Sequence, residues 1–309
     1  MGIDKYYRKG VFPSLKVGGV DVLGAMGLPA ISGTVYYVEA NAGNDNNDGL
    51  SWDKAKKTLA SAITASNANI AAGSRGWAAR NTIFIKGDSV AEDLTVPPVK
   101  CNVIGCGSND ADRKSEIKGE HAWTGSGTLM SSGFYNIQFV NDDASAIFTI
   151  ANLAGLYFEN CDFIAEADSI AAIKITGATG HDLIVNNCRF RVDSANDPFD
   201  TSAIQIETTT TFFNLVIENS YVEGDQGIYI ATTNCYDSFI NNNIIKAVTL
   251  CVDDNSDDVV ITNNCMISAA DQATLGNVLD YNAALAANNI VTGSTGTVAA
   301  PACNFGAQS

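Results

Sequence analysis

The chain has 309 residues, 46% hydrophobic and 17% charged, with 34 acidic against 18 basic side chains and a formal net charge of −16. That is apolar surface enough for a long core, and an acidic balance that repels polyanions, so neither nucleic-acid binding nor membrane insertion is expected. The charge is uneven: residues 1–115 carry +2 and residues 116–309 carry −18.

Residues 1–34 are glycine-rich and weakly basic, and Lys16 to Val22 predict a small hairpin about Gly18-Gly19. Lys5, Arg8 and Lys9 are followed by Pro13, Gly18, Gly19 and Asp21, a poor secretory signal, so export by that route is not expected. The segment reads as an anchoring or oligomerisation arm, since termini order mainly when tied down. Next come a strand over Val35–Val38, a polar loop over 41–49 and a helix over 52–72. Ala55, Leu59, Ala62 and Ile63 share one side of that helix, and Ser51 is placed to cap it. Asp45-Asn46-Asn47-Asp48-Gly49 has the look of a calcium loop, but its twelfth position is Lys56 rather than Glu. An Asx turn leading into the helix is enough. Thr82–Ile85, Leu94–Val96 and Cys101–Gly105 read as irregular first strands.

Beyond residue 130 one phrase recurs seven times: apolar-x-apolar-x-Asn-x-x-apolar, with its asparagine at Asn136, Asn160, Asn187, Asn219, Asn242, Asn264 and Asn288. Alternation before each Asn is strand-like and resumes in shifted phase after it, so the chain bends there. Asn tolerates the left-handed conformation that a bend requires. Further strands are expected over 146–150, 172–175, 203–206, 227–230, 250–252 and 277–279. About three short strands in each 22–24 residues fit one turn of a parallel β-helix. Stacked at roughly 4.8 Å per turn, the asparagines would span roughly 29 Å and form an amide ladder. Cys161, Cys188, Ser220, Asn243 and Cys265 are expected to form a second ladder beside it. Cysteines in that register read as buried thiols, not as disulfides or zinc ligands.

Val35-Tyr36-Tyr37-Val38, Gly43-Asn44-Asp45-Asn46-Asn47-Asp48-Gly49-Leu50-Ser51-Trp52 and Lys57-Thr58-Leu59-Ala60-Ser61-Ala62-Ile63 together resemble the opening of right-handed parallel β-helix proteins of the pectin-lyase-like superfamily. The resemblance covers roughly residues 35–292 and marks a fold, not a reaction. With its leading arm and short loops the chain is most similar, within that superfamily, to bacteriophage virion proteins. Those are commonly trimeric spikes, fibres or capsid decorations.

The enzymes of that superfamily use clustered acids, often with calcium and a basic residue, or paired Asp with Gly-His-Gly. Here the nearest string is Gly180-His181-Asp182, and His121 and His181 read as surface or loop residues. Asp142-Asp143 lies about five turns, roughly 24 Å, from the doublets Asp253-Asp254 and Asp257-Asp258, too far for paired-carboxylate hydrolysis. The later doublets read as a solvated acidic turn, and Lys246 is the only basic residue after Arg191. The expectation is therefore an all-β right-handed parallel β-helix without catalytic, cofactor or metal residues. It comprises an arm (1–34), a rod (35–292) capped by the helix near 52–72, and a tail (293–309). Its expected place is the virion, assembled in the host cytoplasm. There it would be a homotrimeric decoration, head fibre or spike joined to the major capsid or tail protein through the arm, with a host surface glycan as the further partner. The alternatives are a tailspike depolymerase of host polysaccharide and a bacterial surface adhesin. The loop 193–201, in the longest repeat, is where ligand-facing specialisation is expected.

Overall fold

The computed structural model describes residues 16–17, 20–21, 33–72, 79–107, 114–124, 129–166, 170–192, 199–208, 210–256, 258–268, 279–281 and 285–293. The chain is an all-β parallel solenoid, in which three parallel sheets run the length of the rod. Sheet I enters the asparagine corner, with strands from Val35–Val38 through Leu153–Glu159, Thr179–Asn186 and Thr211–Glu218 to Leu285–Ala287. Sheet II leaves that corner, from Ser89–Ala91 to Ile290–Gly293, and sheet III, from His121–Trp123 to Leu279–Tyr281, closes each turn. Equivalent residues stack directly: Phe134, Phe158, Val185, Ile217, Ile240, Ile261 and Ala286 form one column.

The corner follows from asparagine's tolerance of positive φ, which runs from 52° to 58° at Asn136, Asn160, Asn187, Asn219, Asn242, Asn263 and Asn288. In the sixth turn the corner is thus Asn263 and not Asn264, because Asn241 pairs with Thr262 and sets the register. Asn160 Nδ2 donates to Asn136 Oδ1 (3.1 Å) and Asn242 Nδ2 to Asn219 Oδ1 (2.8 Å). Asn219 and Asn263 instead reach the preceding strand, at Asn186 Oδ1 and Asn241 Oδ1.

One residue further on, a buried ladder runs through Cys161, Cys188, Ser220, Asn243, Asn264 and Asn289. Each side-chain acceptor takes the backbone N–H of the turn before: Cys161 N to Cys188 Sγ, Cys188 N to Ser220 Oγ, Ser220 N to Asn243 Oδ1, and so to Asn289. Cys265 does not belong to this ladder. It lies one position later, in sheet II beside Ile244, half-buried. Cys101, Cys161, Cys188, Cys235 and Cys251 are buried free thiols, and burial pushes Cys101, Cys235 and Cys251 up to about 12.

Aromatic stacking fills the middle of the rod. Phe163 and Phe190 lie 4.5 Å apart between centroids and 2° from parallel, and Phe139 stacks on Phe163 at 5.3 Å. His121, expected at the surface, is fully buried against Phe139 and Phe148, with Leu94 N donating to its Nδ1. Desolvation lowers its pKa to about 3, from about 6.5 in an open chain. Below pH 6.5 the unfolded chain takes up a proton that the folded chain refuses. Stability from this residue is therefore full above 6.5 and falls toward pH 3 by about 1.4 kcal/mol per unit. His121→Phe should flatten the fall in Tm between pH 6.5 and 4; an unchanged slope would count against the assignment.

At the N-terminal end, Trp52–Lys54 is a separate 3-10 turn and helix α1 spans Leu59–Ala72. Ser51 makes no side-chain cap bond; Thr58 Oγ1 accepts from Ser61 N instead. Glu92 adds a remote cap, taking the N–H groups of Leu59 (2.5 Å) and Ala60 (3.0 Å). Asn44 Oδ1 accepts from Asn46 N and Asp48 Oδ1 from Leu50 N, two Asx turns, while Asp45 Oδ1 reaches Lys57 N and Thr58 N just ahead of α1. Leu59, Ala62, Ile63 and Ser66 bury the inner face of α1. Leu94–Val96 is not a strand; the strand is Ser89–Ala91, with Leu94 buried beyond it. Lys16↔Asp21 and Val17↔Val20 pair antiparallel as the hairpin expectation requires. The remainder of 1–32, residues 193–198 of the long loop and residues 294–309 lie outside the described residues.

Candidate functional site

Six successive sheet I strands bend a second time, five residues before the position at which sheet I reaches the corner, which is an asparagine in all but the first, where it is Gly105. Lys100, Ser131, Asp182, Asn214 and Asp237 have φ between 47° and 58°, and Gly155 has 96°. Register aligns them: Ala154↔His181 and Leu156↔Leu183 put Gly155 beside Asp182. His181↔Phe213 and Leu183↔Leu215 put Asp182 beside Asn214. Phe213↔Tyr236 carries the column to Asp237, and Ser238↔Val259 places Asp258 on the next turn. Asp237 and Asp258 are exposed and separated by one turn, about 4.8 Å.

The bend turns this outward face into a groove of about 410 Å³ lined by Phe213, Tyr236, Asp237, Ser238, Phe239, Asp258 and Val260. Phe213 and Phe239 are 45% and 48% exposed on the outward face of the sheet, while Phe212 and Ile240 beside them in the chain are buried. Phe213 and Tyr236 lie 5.4 Å apart, tilted by 37°. Ser238 pins the bend from inside, its hydroxyl donating to Tyr236 O (2.9 Å) and accepting from Leu215 N (3.0 Å). Two turns from Asp237, Asp182 Oδ1 receives Asn214 Nδ2 at 2.6 Å, and its Oδ2 lies 2.9 Å from His181 Nδ1. Partial burial pushes Asp182 upward, but these two neighbours outweigh it and hold the carboxyl below its usual value. The face thus combines apolar platforms with carboxylate acceptors on successive turns.

The expected acidic turn does not act as one unit. Asp253 is half-buried on sheet III beside Gln226, Asp254 is buried and holds Ser256, and Asp258 alone reaches the groove. Asp257 lies outside the described residues. The corner asparagines Asn160, Asn187, Asn219, Asn242 and Asn263 line a separate groove of about 670 Å³ with Arg189 and Tyr221.

Below that second groove sits an ionic cluster that the spacing of the sequence does not announce. Lys114 takes the corner position one turn before Asn136, because Ile137 pairs with Ser115. Its ammonium donates to Asn160 O (2.6 Å) and lies 3.2 Å from Asp162 Oδ1. Asp162 is fully buried and accepts Arg189 Nε at 2.9 Å and Nη2 at 3.0 Å. The cluster caps the amide ladder with charge instead of amide.

No known family profile matches this sequence, and no curated protein matches it. Among solved structures, a GH136 lacto-N-biosidase from Eubacterium ramulus is similar at 9% identity, covering 83% of this chain and 67% of that one, with a TM-score of 0.23. A likeness of that size carries no argument about substrate or reaction. The expectation of a rod that is not an enzyme is set against that finding, since the structure found similar is a glycoside hydrolase; the finding concerns that protein and assigns no reaction to this chain. A carboxylate pair that the doublets did not include, Asp237 and Asp258, stands on adjacent turns.

Proposed function

We propose that this β-helix engages surface polysaccharide in the sheet I groove and hydrolyses it with Asp237 and Asp258. The observation that carries the reading is the placement of two exposed carboxylates one turn apart beside Phe213, Tyr236 and Phe239. Pyranose rings present C–H faces that stack on aromatic platforms, while their hydroxyls donate to carboxylates. Carboxyl groups about 5 Å apart serve retaining hydrolysis, one as acid and the other as nucleophile.

The setting we propose is a bacteriophage virion. The motifs over 35–63 resemble those of pectin-lyase-like β-helices, and the leading arm suits attachment to a capsid or tail protein, with three rods making one projection. Polysaccharide-degrading spikes unite that setting with the groove. An antibody against this chain should label a projection on the particle that carries it and block saccharide release by that particle. Release that continues on labelled particles would contradict the reading.

A further inference from the structure

The charge around the groove restricts which saccharide can enter it. Asp237 and Asp258 line it and Asp182 stands two turns away. Among the described residues the lining contains no Lys, Arg or His, and His181, beside Phe213 on the preceding turn, has its Nδ1 2.9 Å from Asp182 Oδ2. The turns that build the groove carry a single basic residue, Lys246, on sheet II, where its ammonium is bonded to Glu223. Among the described residues, therefore, no lysine or arginine of the groove wall is placed to receive an anionic sugar substituent, and the nearby His181 imidazole already faces Asp182. The lining instead presents acceptor-only carboxylates, a Ser238 hydroxyl already bonded inside the bend, and aromatic carbon.

We infer that the groove takes neutral, hydroxyl-rich oligosaccharides and rejects their uronate counterparts. This rests on the glycan reading above and narrows it to a substrate class. Hydroxyl donors complement Asp237 and Asp258, whereas a uronate carboxylate set between the same groups meets like charge within a Debye length of about 8 Å. The recognition is then hydroxyl to carboxylate and C–H to ring, with charge serving to exclude.

The test is calorimetric titration of the full chain with neutral gluco-, galacto- and manno-hexasaccharides and with the matching hexauronates, in EDTA so that no divalent cation bridges the acids. At least one neutral hexasaccharide should bind at least tenfold more tightly than its uronate partner, and the gap should shrink as salt is raised. Asp258→Asn should narrow the gap by admitting the uronate. A uronate that binds as tightly as its neutral partner, with binding lost in Phe239→Ala, overturns this inference and leaves the groove reading standing. Failure of every neutral and acidic oligomer to bind overturns both.

Discussion

Asp237→Asn and Asp258→Asn should each lower the rate of saccharide release by about 10²–10⁴-fold, the range for losing a positioned acid, base or nucleophile. Both side chains are exposed at the surface of sheet I, so neither change should disturb the far-ultraviolet circular dichroism or Tm. Separation by one turn further predicts that the product keeps the anomeric configuration of the substrate, which proton NMR of the first product reads directly. Phe239→Ala, by contrast, removes a platform without touching the carboxylates and should weaken binding while leaving the turnover of bound substrate near that of the parent. Asp182→Asn should matter less, because that carboxylate is already committed to Asn214 and His181. Full activity in both Asp237→Asn and Asp258→Asn would remove the chemistry from this groove.

The largest stability effect is expected at Asp162. Its carboxylate is fully buried, bridging an almost fully buried Lys114 and the half-exposed Arg189. Asp162→Ala would leave the Lys114 ammonium inside the rod without a counter-charge, a change that typically costs about 3–5 kcal/mol. Urea unfolding should show the loss, and Lys114→Met in the same chain should recover part of it. An Asp162→Ala protein as stable as the parent would mean that the corner is open to water. The cluster is worth this attention because Lys114 occupies an asparagine position. It spans from its own turn to Asn160, two turns on, and so ties the irregular N-terminal turns to the regular rod.

The architecture was legible because one residue type recurs at one structural position. Asparagine at each corner announced the period, and the apolar residues two before and three after it fill the stacked core. Where chemistry at a position varied, the sequence spoke less clearly. Asn263 and Asn264 are adjacent amides, and the phrase fits the second, but backbone register assigns the corner to the first. That one-residue shift also carried Cys265 out of the buried ladder. His121 was misplaced because a histidine has no period of its own. Its burial follows from pairing with Phe148, which is set by sheet III.

The groove was hidden for a related reason. Its bend is built from Ser131, Gly155, Asp182, Asn214 and Asp237, a set with no shared residue type, and register adds Asp258 to the column. Yet each member stands five residues before its corner asparagine, at Asn136, Asn160, Asn187, Asn219, Asn242 and Asn263. That constant offset was present in the sequence, and aligning the turns on the true corners would have exposed it. Doublets such as Asp253-Asp254 drew attention by adjacency in the chain, whereas in a solenoid the neighbours that matter lie one period apart. Asp237 and Asp258 are 21 residues apart and line one surface.

The most direct test of the glycan groove is a crystal structure of the Asp237→Asn protein with a neutral oligosaccharide bound. The account predicts a pyranose ring stacked on Phe239 or Tyr236, with a hydroxyl or the glycosidic oxygen in hydrogen-bond contact with Asp258. A saccharide seated instead along the Asn187–Asn219–Asn242 corner, with the sheet I face empty, would contradict it.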